Sequence, residues 1–466
     1  MNFMHRVIIN GKIQFADDGT LLYDVLIKSD ESVDHPCGGR GTCRKCIVTV
    51  NGKEELSCQY IIRSDITVSL PENGEIFSET GASETGNITK NLCYALDIGT
   101  TTLALALVSL DENKIIKVIT RANPQRTFGA DVMTRIDYCR KNEVNELQKA
   151  VISEINSMIS EFNLHKIEKL YISGNATMLH LFFGIDCSSM GVAPYTPVFL
   201  ENKTEKAKKL GIIGVEEIEI LPSIAAFVGA DLVAGLNFVG MPENGKHNLL
   251  VDLGTNAEIV LFSEKSALCT AAAAGPCFEG ANISCGMSAT DGAVYSYSAN
   301  GTKTISDEPA KGICGTGLVD IIAYLLDKEI VDETGYMEDD FEVADGVHLS
   351  QADIRQYQLA KSAVSSAIIT LLQMKNVSFD EIENMYISGG FSAKINIENA
   401  VKTGLLPKEL VQKCVAINNS SLLGTVKYAC EKNDLAVYID NSTYVDLSEN
   451  PIFSDLFIEN MMFEVN

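Results

Sequence analysis

Four segments of the chain carry near-continuous apolar runs that break at a glycine, and their repetition predicts the architecture. Residues 92–110 (LCYALDIGTTTLALALVSL) read as a strand running into the turn Asp97-Ile98-Gly99-Thr100-Thr101-Thr102 and out into a second strand. A matching unit at 247–263 (HNLLVDLGTNAEIVLFS) turns at Asp252, Gly254, Thr255 and Asn256. Two further buried strands, KLYISGNATM and NMYISGGFSA, end at Ser173-Gly174-Asn175 and at Ser388-Gly389-Gly390. The order of hairpin, helices and glycine turn occurs twice, which predicts an internal duplication with a cleft between two similar halves.

Between these strands the apolar period becomes helical. Val144, Leu147, Val151, Ile155, Ile159 and Phe162 fall on one helix face, and Ser350 with Asp353 reads as the N-cap of IRQYQLAKSAVSSAIITLLQ. Ahead of the duplication, short β-type runs within 7–13 and 56–70 flank the turns Asn10-Gly11 and Asn51-Gly52, as in the hairpins of a small mixed unit. Residues 75–91 (EIFSETGASETGNITKN) lack apolar periodicity and read as a flexible linker. A coil of that length has an end-to-end distance of about 20–24 Å, so the amino-terminal unit is expected to swing. The predicted organisation is a unit over 1–74, a linker over 75–91, and a domain over 92–466 with halves near 92–245 and 246–430 and a tail at 431–466.

Composition adds constraints. With 466 residues, 46% apolar and 21% charged, the chain is long enough for at least two cores. A formal net charge of −25 argues against a nucleic-acid partner or an anionic membrane surface. No signal peptide and no apolar run of about 20 residues is present, and a cytoplasmic location is expected. In a long cytoplasmic chain, the 13 cysteines read as metal ligands or small buried apolar residues rather than disulfides.

Spacing separates those two roles. In HPCGGRGTCRKCIVTV, Cys37, Cys43 and Cys46 stand as C-x5-C-x2-C, and Cys58 completes a set of four. Glycines 38, 39 and 41 alternate with them, and a residue without Cβ lets backbone N–H groups approach bound sulfides. A four-cysteine zinc site is the alternative, but such sites bring two close pairs, and only Cys43/Cys46 forms one here. The grouping resembles the plant-type and adrenal-type ferredoxins, which implies an α+β β-grasp domain holding a [2Fe-2S] cluster, a low-potential one-electron donor. Their fourth cysteine lies farther along the chain than Cys58 does, so the local fold around it is less firmly implied.

The two D-x-G-T turns suit phosphate. Gly99 and Gly254 let backbone approach phosphate oxygens, and Thr100, Thr101 and Thr255 offer hydroxyl and N–H donors. Asp97 and Asp252 facing each other are suited to hold the waters of a phosphate-bound Mg2+. The pattern resembles the superfamily of actin, the heat-shock chaperone ATPases and the sugar kinases. That resemblance implies an α/β actin-like ATPase of two duplicated subdomains, with ATP and Mg2+ between them. It places Gly389 and Gly390 against the nucleoside and Gly315-Thr316-Gly317 at the ribose and base; the other reading of the latter is a helix start with Asp320 in its first turns. Lys361 is either a nucleotide contact or a solvated lysine, and Asp231 either a general base or a helix-start residue.

The combination on one chain resembles the reductive activators of corrinoid proteins across nearly its whole length: CGGRGTCRKC, DIGTTT, YISGNATM, VDLGTNAEI, AAGPCFEGANISCGMSA, GICGTGLVDI, DIRQYQLAKSA, YISGGFS and VDLSENPIFSDLFIENMMF. The resemblance implies ATP-dependent reduction of a Co(II) corrinoid to Co(I), a corrinoid protein of a methyltransferase system as partner, and an external low-potential electron donor. Longer members carry another domain where this chain has only 75–91, so a homodimer stays open. The loop Gly275–Gly280 with Gly286-Met287 is the candidate corrinoid-facing surface; its other reading is an interior turn. An activase of a radical dehydratase and a small-molecule kinase with a ferredoxin module are the alternative functions.

Overall fold

The computed structural model describes residues 4–27, 29, 33, 41, 46–70, 91–242, 245–390 and 394–464. Cys37, Cys43 and nearly all of the predicted linker lie outside them.

The amino-terminal unit runs β1 (Met4–Ile9), β2 (Lys12–Asp17), α1 (Leu22–Ile27), β3 (Ile47–Val50), β4 (Lys53–Leu56) and β5 (Ile66–Ser69). Its mixed sheet has the order β2-β1-β5-β3-β4, with β1 and β5 parallel at the centre. Alternation along β5, with Ile66 and Val68 buried and Thr67 and Ser69 turned away, gives the sheet one apolar face. Leu22 and Leu26 of α1 cover that face, and Cys46 and Cys58 belong to the same core. The turns Asn10-Gly11 and Asn51-Gly52 hold positive φ at both residues, as two-residue hairpin turns require.

The first half continues with β6 (Leu92–Ile98), β7 (Thr102–Ser109), β8 (Lys114–Ala122), α2 (Val132–Lys141), α3 (Asn145–Ser160), β9 (Ile167–Gly174), α4 (Ala176–Phe183), β10 (Lys203–Lys206), β11 (Val215–Ile220) and α5 (Ala230–Val239). The second opens with β12 (His247–Leu253), β13 (Ala257–Ser263) and β14 (Ser266–Ala272). A small sheet of β15 (Ala293–Ser298), β16 (Gly301–Thr304) and β17 (Gly312–Ile313) leads into α6 (Gly315–Asp327). After the hairpin β18 (Phe341–Ala344) and β19 (Val347–Leu349) come α7 (Gln351–Lys375), β20 (Ile382–Ser388), α8 (Ile397–Lys402), β21 (Cys414–Ala416) and α9 (Ser420–Glu431). The chain closes with α10 (Ala436–Asp440), β22 (Ser442–Tyr444) and α11 (Pro451–Glu459).

The duplication is visible in the topology. The large sheets are ordered β10-β11-β9-β6-β7-β8 and β21-β20-β12-β13-β14-β22, so β9-β6-β7-β8 and β20-β12-β13-β14 are equivalent. In each, an antiparallel hairpin pairs through its first strand with a parallel neighbour, β9 or β20. Central strands buried on both faces explain the unbroken apolar runs of 92–98 and 102–109. The two crossing helices, α5 and α9, pack on each other at glycines: a Cβ on Gly424 would lie 1.7 Å from the Ala234 carbonyl oxygen. The carboxyl-terminal segment joins the second half, with β22 parallel to β14 and α11 lying on α7.

Candidate functional site

Both D-x-G-T turns end a central strand at the same level. Asp97 on β6 is in register with Ser173 on β9, and Asp252 on β12 with Ser388 on β20, so each aspartate has a serine from the Y-I-S-G segment beside it. The first turn of α9 completes both arrangements. Asn419 Nδ2 donates to Asp97 Oδ2 (2.7 Å) and Ser421 Oγ to Asp97 Oδ1 (2.7 Å), while Ser421 and Ser173 share a hydrogen bond of 2.8 Å. On the other side the Ser388 hydroxyl donates to Ser420 Oγ (2.7 Å), and both hydroxyls face Asp252. Adjacent serines of one helix thus serve the aspartates of opposite halves.

The phosphate-type turns converge on one carboxylate. Thr101 Oγ1 of the first half donates to Glu279 Oε1 (2.8 Å), and Thr255 Oγ1 of the second to Glu279 Oε2 (2.6 Å). The Arg135 guanidinium, fully buried on α2, donates to the carbonyls of Thr100 (2.6 Å) and Gly129 (2.8 Å). Asn175 Nδ2 donates to Thr100 Oγ1 (3.0 Å).

Negative charge dominates this cleft. Burial pushes the Asp97 carboxyl up to about 6, against the lowering pull of Asn419 and Ser421, and the charge of Asp252 adds to the rise. Asp231, in the first turn of α5, rises to about 7 through burial first and then the charges of Asp97 and Asp252. Burial also raises Asp252, Glu258 and Glu279, and the Arg135 charge opposes the rise at Glu279. A bound cation would offset the mutual repulsion of carboxylates crowded in this way. Among the described residues no three His, Cys, Asp or Glu side chains gather closely enough to ligate an ion directly. A separate acidic cavity of about 610 Å3 lies between α1 and α2, lined by Tyr23, Asp24, Tyr138 and Glu146 among others, and it shares no lining residue with this cleft.

Residues 92–244 match the sequence model of the RACo middle region, and residues 246–466 that of the C-terminal ASKHA domain of RACo. The chain belongs to the RACo family. It is 27% identical over 418 residues to the corrinoid activation enzyme RamQ of Eubacterium limosum, covering 80% of this chain and 70% of the relative. It is 26% identical over 394 residues to the [Co(II) methylated amine-specific corrinoid protein] reductase of Methanosarcina barkeri, covering 73% of this chain and 70% of the relative. A solved structure described as a reductive activator for corrinoid, iron-sulfur protein superposes with a TM-score of 0.73 at 24% identity, over 98% of both chains, which shows the same fold.

In this RACo-family chain the turn residues Gly99, Thr100, Thr101, Gly254, Thr255 and Asn256 lie at the two strand ends described above. Gly389 packs directly on the second turn, since a Cβ there would lie 2.1 Å from the Leu253 carbonyl oxygen, whereas Gly390 faces open space. Gly315, Thr316 and Gly317 form the buried first turn of α6; Cβ atoms on the two glycines would lie 2.1 Å from the carbonyl oxygens of Phe278 and Val294. Asp320 accepts from Asn399 Nδ2 (2.7 Å) in that helix. Cys46 and Cys58 place their sulfurs 3.3 Å apart. Two thiolates on one tetrahedral iron or zinc, at bonds of about 2.3 Å, sit about 3.8 Å apart, so the pair needs only a small opening to share an ion.

Three expectations change. Lys361 is neither solvated nor at the nucleotide cleft: it is 2% exposed, donates to the Met462 carbonyl, and lies 4.9 Å over the Phe463 ring. Burial pulls its pKa down to about 8, and it anchors the carboxyl-terminal segment on α7. The Gly275–Gly280 loop is an interior turn with Cys277 and Phe278 buried, and its Glu279 faces the cleft. Asp231 is a helix-start residue, and its carboxylate also interacts with both Asp97 and Asp252.

Glu279, Glu258, Arg135 and the Asn419-Ser420-Ser421 turn had not been singled out as cleft residues. A signal for Glu279 does exist in the sequence: ANPQRTFGAD after β8 and AAGPCFEGAN after β14 occupy equivalent places in the two halves.

Proposed function

We propose that this protein is an ATP-dependent reductive activator that delivers one electron to the Co(II) corrinoid of a methyltransferase-system corrinoid protein and restores Co(I). The observation carrying the ATP reading is the convergence of Thr101 and Thr255, from opposite halves, on the two oxygens of a single carboxylate. Donors spaced to embrace one small anion across a cleft suit a terminal phosphate. Family membership and the names of the relatives support the corrinoid partner.

In this reading Gly99, Thr100, Thr101, Gly254, Thr255 and Asn256 receive the phosphates, and Asp97 and Asp252 orient the waters of Mg2+. Asp231 stands beside both aspartates as the carboxylate suited to take a proton from an attacking water. Gly390 lines the nucleoside side, with Gly389, Gly315, Thr316 and Gly317 shaping the wall behind it. Residues 1–74 act as a ferredoxin-type domain, supported by the β-grasp strand order, joined through 75–91 to the ATPase domain 92–466.

Four thiolates, those of Cys37, Cys43, Cys46 and Cys58, would hold a [2Fe-2S] cluster, whose contribution when bound is a single low-potential electron. Cys46 and Cys58 are themselves buried in the core under the sheet.

Nucleotide is needed because reaching Co(I) is uphill from an ordinary ferredoxin potential. A tenfold shift in a one-electron equilibrium corresponds to about 59 mV. Closing a two-state cleft from 1:99 to 99:1 takes about 5.5 kcal/mol of differential binding, equivalent to roughly 0.2 V. Two halves gripping one Mg·ATP supply energy on that scale, which the protein applies to its hold on the partner; hydrolysis then releases it. The test is an anaerobic mixture of the iron-loaded protein, a Co(II) corrinoid protein and reductant, followed by visible absorption. Cobalt reduction that requires Mg·ATP is the expected result, and reduction at the same rate without nucleotide would refute the proposal.

A further inference from the structure

Glu279 is an acceptor-only anion held where the two phosphate-type turns meet, with one oxygen bonded to each half. A nucleotide phosphate needs the same two hydroxyls, and two anions do not share that space without repulsion. Glu279 also lies in a segment with little freedom. It ends the turn Pro276–Glu279, and Gly280 after it packs against the backbone of the next loop. A Cβ on Gly280 would lie 2.2 Å from the Met287 carbonyl oxygen, and one on Gly286 would lie 2.1 Å from the Gly280 carbonyl oxygen. Met287 N–H in turn donates to the Ile313 carbonyl (3.0 Å), and Ile313 N–H to that of Cys285 (2.8 Å), just before the first turn of α6. Residues 281–291 carry exposed Asn282 and Ser284, and Cys285 lies 3.6 Å from the ring of exposed His348.

We propose that Glu279 is a resident stand-in for the terminal phosphate, and that its expulsion by nucleotide moves segment 281–291 and so couples the cleft to the protein surface. This rests on the reading of the cleft as an ATP site. In the nucleotide-free protein the carboxylate holds Thr101 and Thr255 together across the cleft. When a phosphate takes over both hydroxyls, Glu279 leaves. The close backbone contacts at Gly280 carry that displacement into Gly286-Met287 and the loop beyond. A surface that changes with the nucleotide is what a partner protein requires if it is to be gripped in one state and released in another. Glu279 is here a positioning residue: it competes with the phosphate and does not act on it.

The experiment measures Mg·AMPPNP affinity by calorimetry and amide hydrogen exchange over 281–291, in the full chain and in its Glu279→Ala and Glu279→Gln variants. In the wild type, nucleotide should raise exchange in that segment several-fold. Glu279→Ala should bind roughly tenfold more tightly, equivalent to about 1.4 kcal/mol of removed competition, and should show the raised exchange before nucleotide is added. If that variant fails to fold, Glu279→Gln, which keeps the volume without the charge, carries the same test with a smaller gain. Weakened or unchanged affinity together with a wild-type exchange response would overturn the proposal alone. A wild type that binds no Mg·AMPPNP would overturn the ATP reading itself.

Discussion

The two crossing helices hold equivalent places in the duplicated halves, yet they begin differently. Each follows the outer parallel strand of its sheet, and each crosses the other at a glycine, Gly235 on α5 and Gly424 on α9. The first turn of α5 brings the carboxylate of Asp231. The first turn of α9 brings Asn419, Ser420 and Ser421, whose amide and hydroxyl groups hydrogen-bond or face Asp97 and Asp252. The duplication has kept what backbone packing demands, because helices this close tolerate no side chain at the crossing. It has let the first turns, which face the cleft, diverge into a charged element that crowds the aspartates and a neutral one that supports them as anions.

That division of labour orders the expected effects of mutation. Asp252→Ala should reduce ATP-dependent cobalt reduction about a hundredfold or more, the scale of ~3 kcal/mol of lost charge stabilisation, while leaving the iron-sulfur absorbance intact. Cys43→Ser should lose the iron-sulfur absorbance, and with it the electron for cobalt, while still binding Mg·ATP analogue; loss of nucleotide binding in Cys43→Ser, or loss of the absorbance in Asp252→Ala, would break the separation of roles. Gly424→Ala comes next: its Cβ would meet the Ala234 backbone at 1.7 Å, and overpacking of this kind costs about 2–3 kcal/mol. Gly235→Ala meets the Ser420 hydroxyl at 2.9 Å and should cost roughly half as much in denaturant melts.

Asp231 sharpens the comparison through pH. Its folded pKa of about 7 lies above the ordinary value of 3.8, so the protonated form favours the folded state. The stability this supplies is complete below about 3.8 and is lost as pH rises through about 7. Nucleotide-free protein should therefore melt at progressively lower temperature from pH 5 to 8. Asp231→Asn should flatten that fall and gain roughly 2 kcal/mol at pH 8. The smallest effect is expected of Ser421→Ala, which removes one hydrogen bond to Asp97 and should cost about 1 kcal/mol in the same melts.

Much of this was legible in sequence because it is local. The hairpins around Asp97 and Asp252 and the glycine strand ends at 173–174 and 388–389 are read from apolar runs a few residues long. The helix starting after Ser350 announces itself with its own cap: Ser350 Oγ accepts from the Asp353 N–H and the Asp353 carboxylate accepts from the Ser350 N–H. What escaped is assembled from distant segments. Asn419 and Ser421 reach Asp97 across more than 300 positions, and Thr101 reaches Glu279 across 178. No periodicity encodes such meetings. Lys361 was misjudged for the same reason, since its partners lie about 100 positions away in the carboxyl-terminal segment. Of the two readings of the Gly275–Gly280 turn the interior one holds: Cys277 and Phe278 are buried, and Gly280 serves a close backbone contact with Met287 that no local pattern announces.

The claim on which the rest depends is that equivalent turns of the two halves close one nucleotide site. Equilibrium titration of the iron-loaded protein with Mg·ATP analogue, beside Asp97→Ala and Asp252→Ala, tests it most directly. The account predicts one nucleotide per chain and loss of that single site in either variant. Two sites per chain, or binding that survives both substitutions, would contradict it.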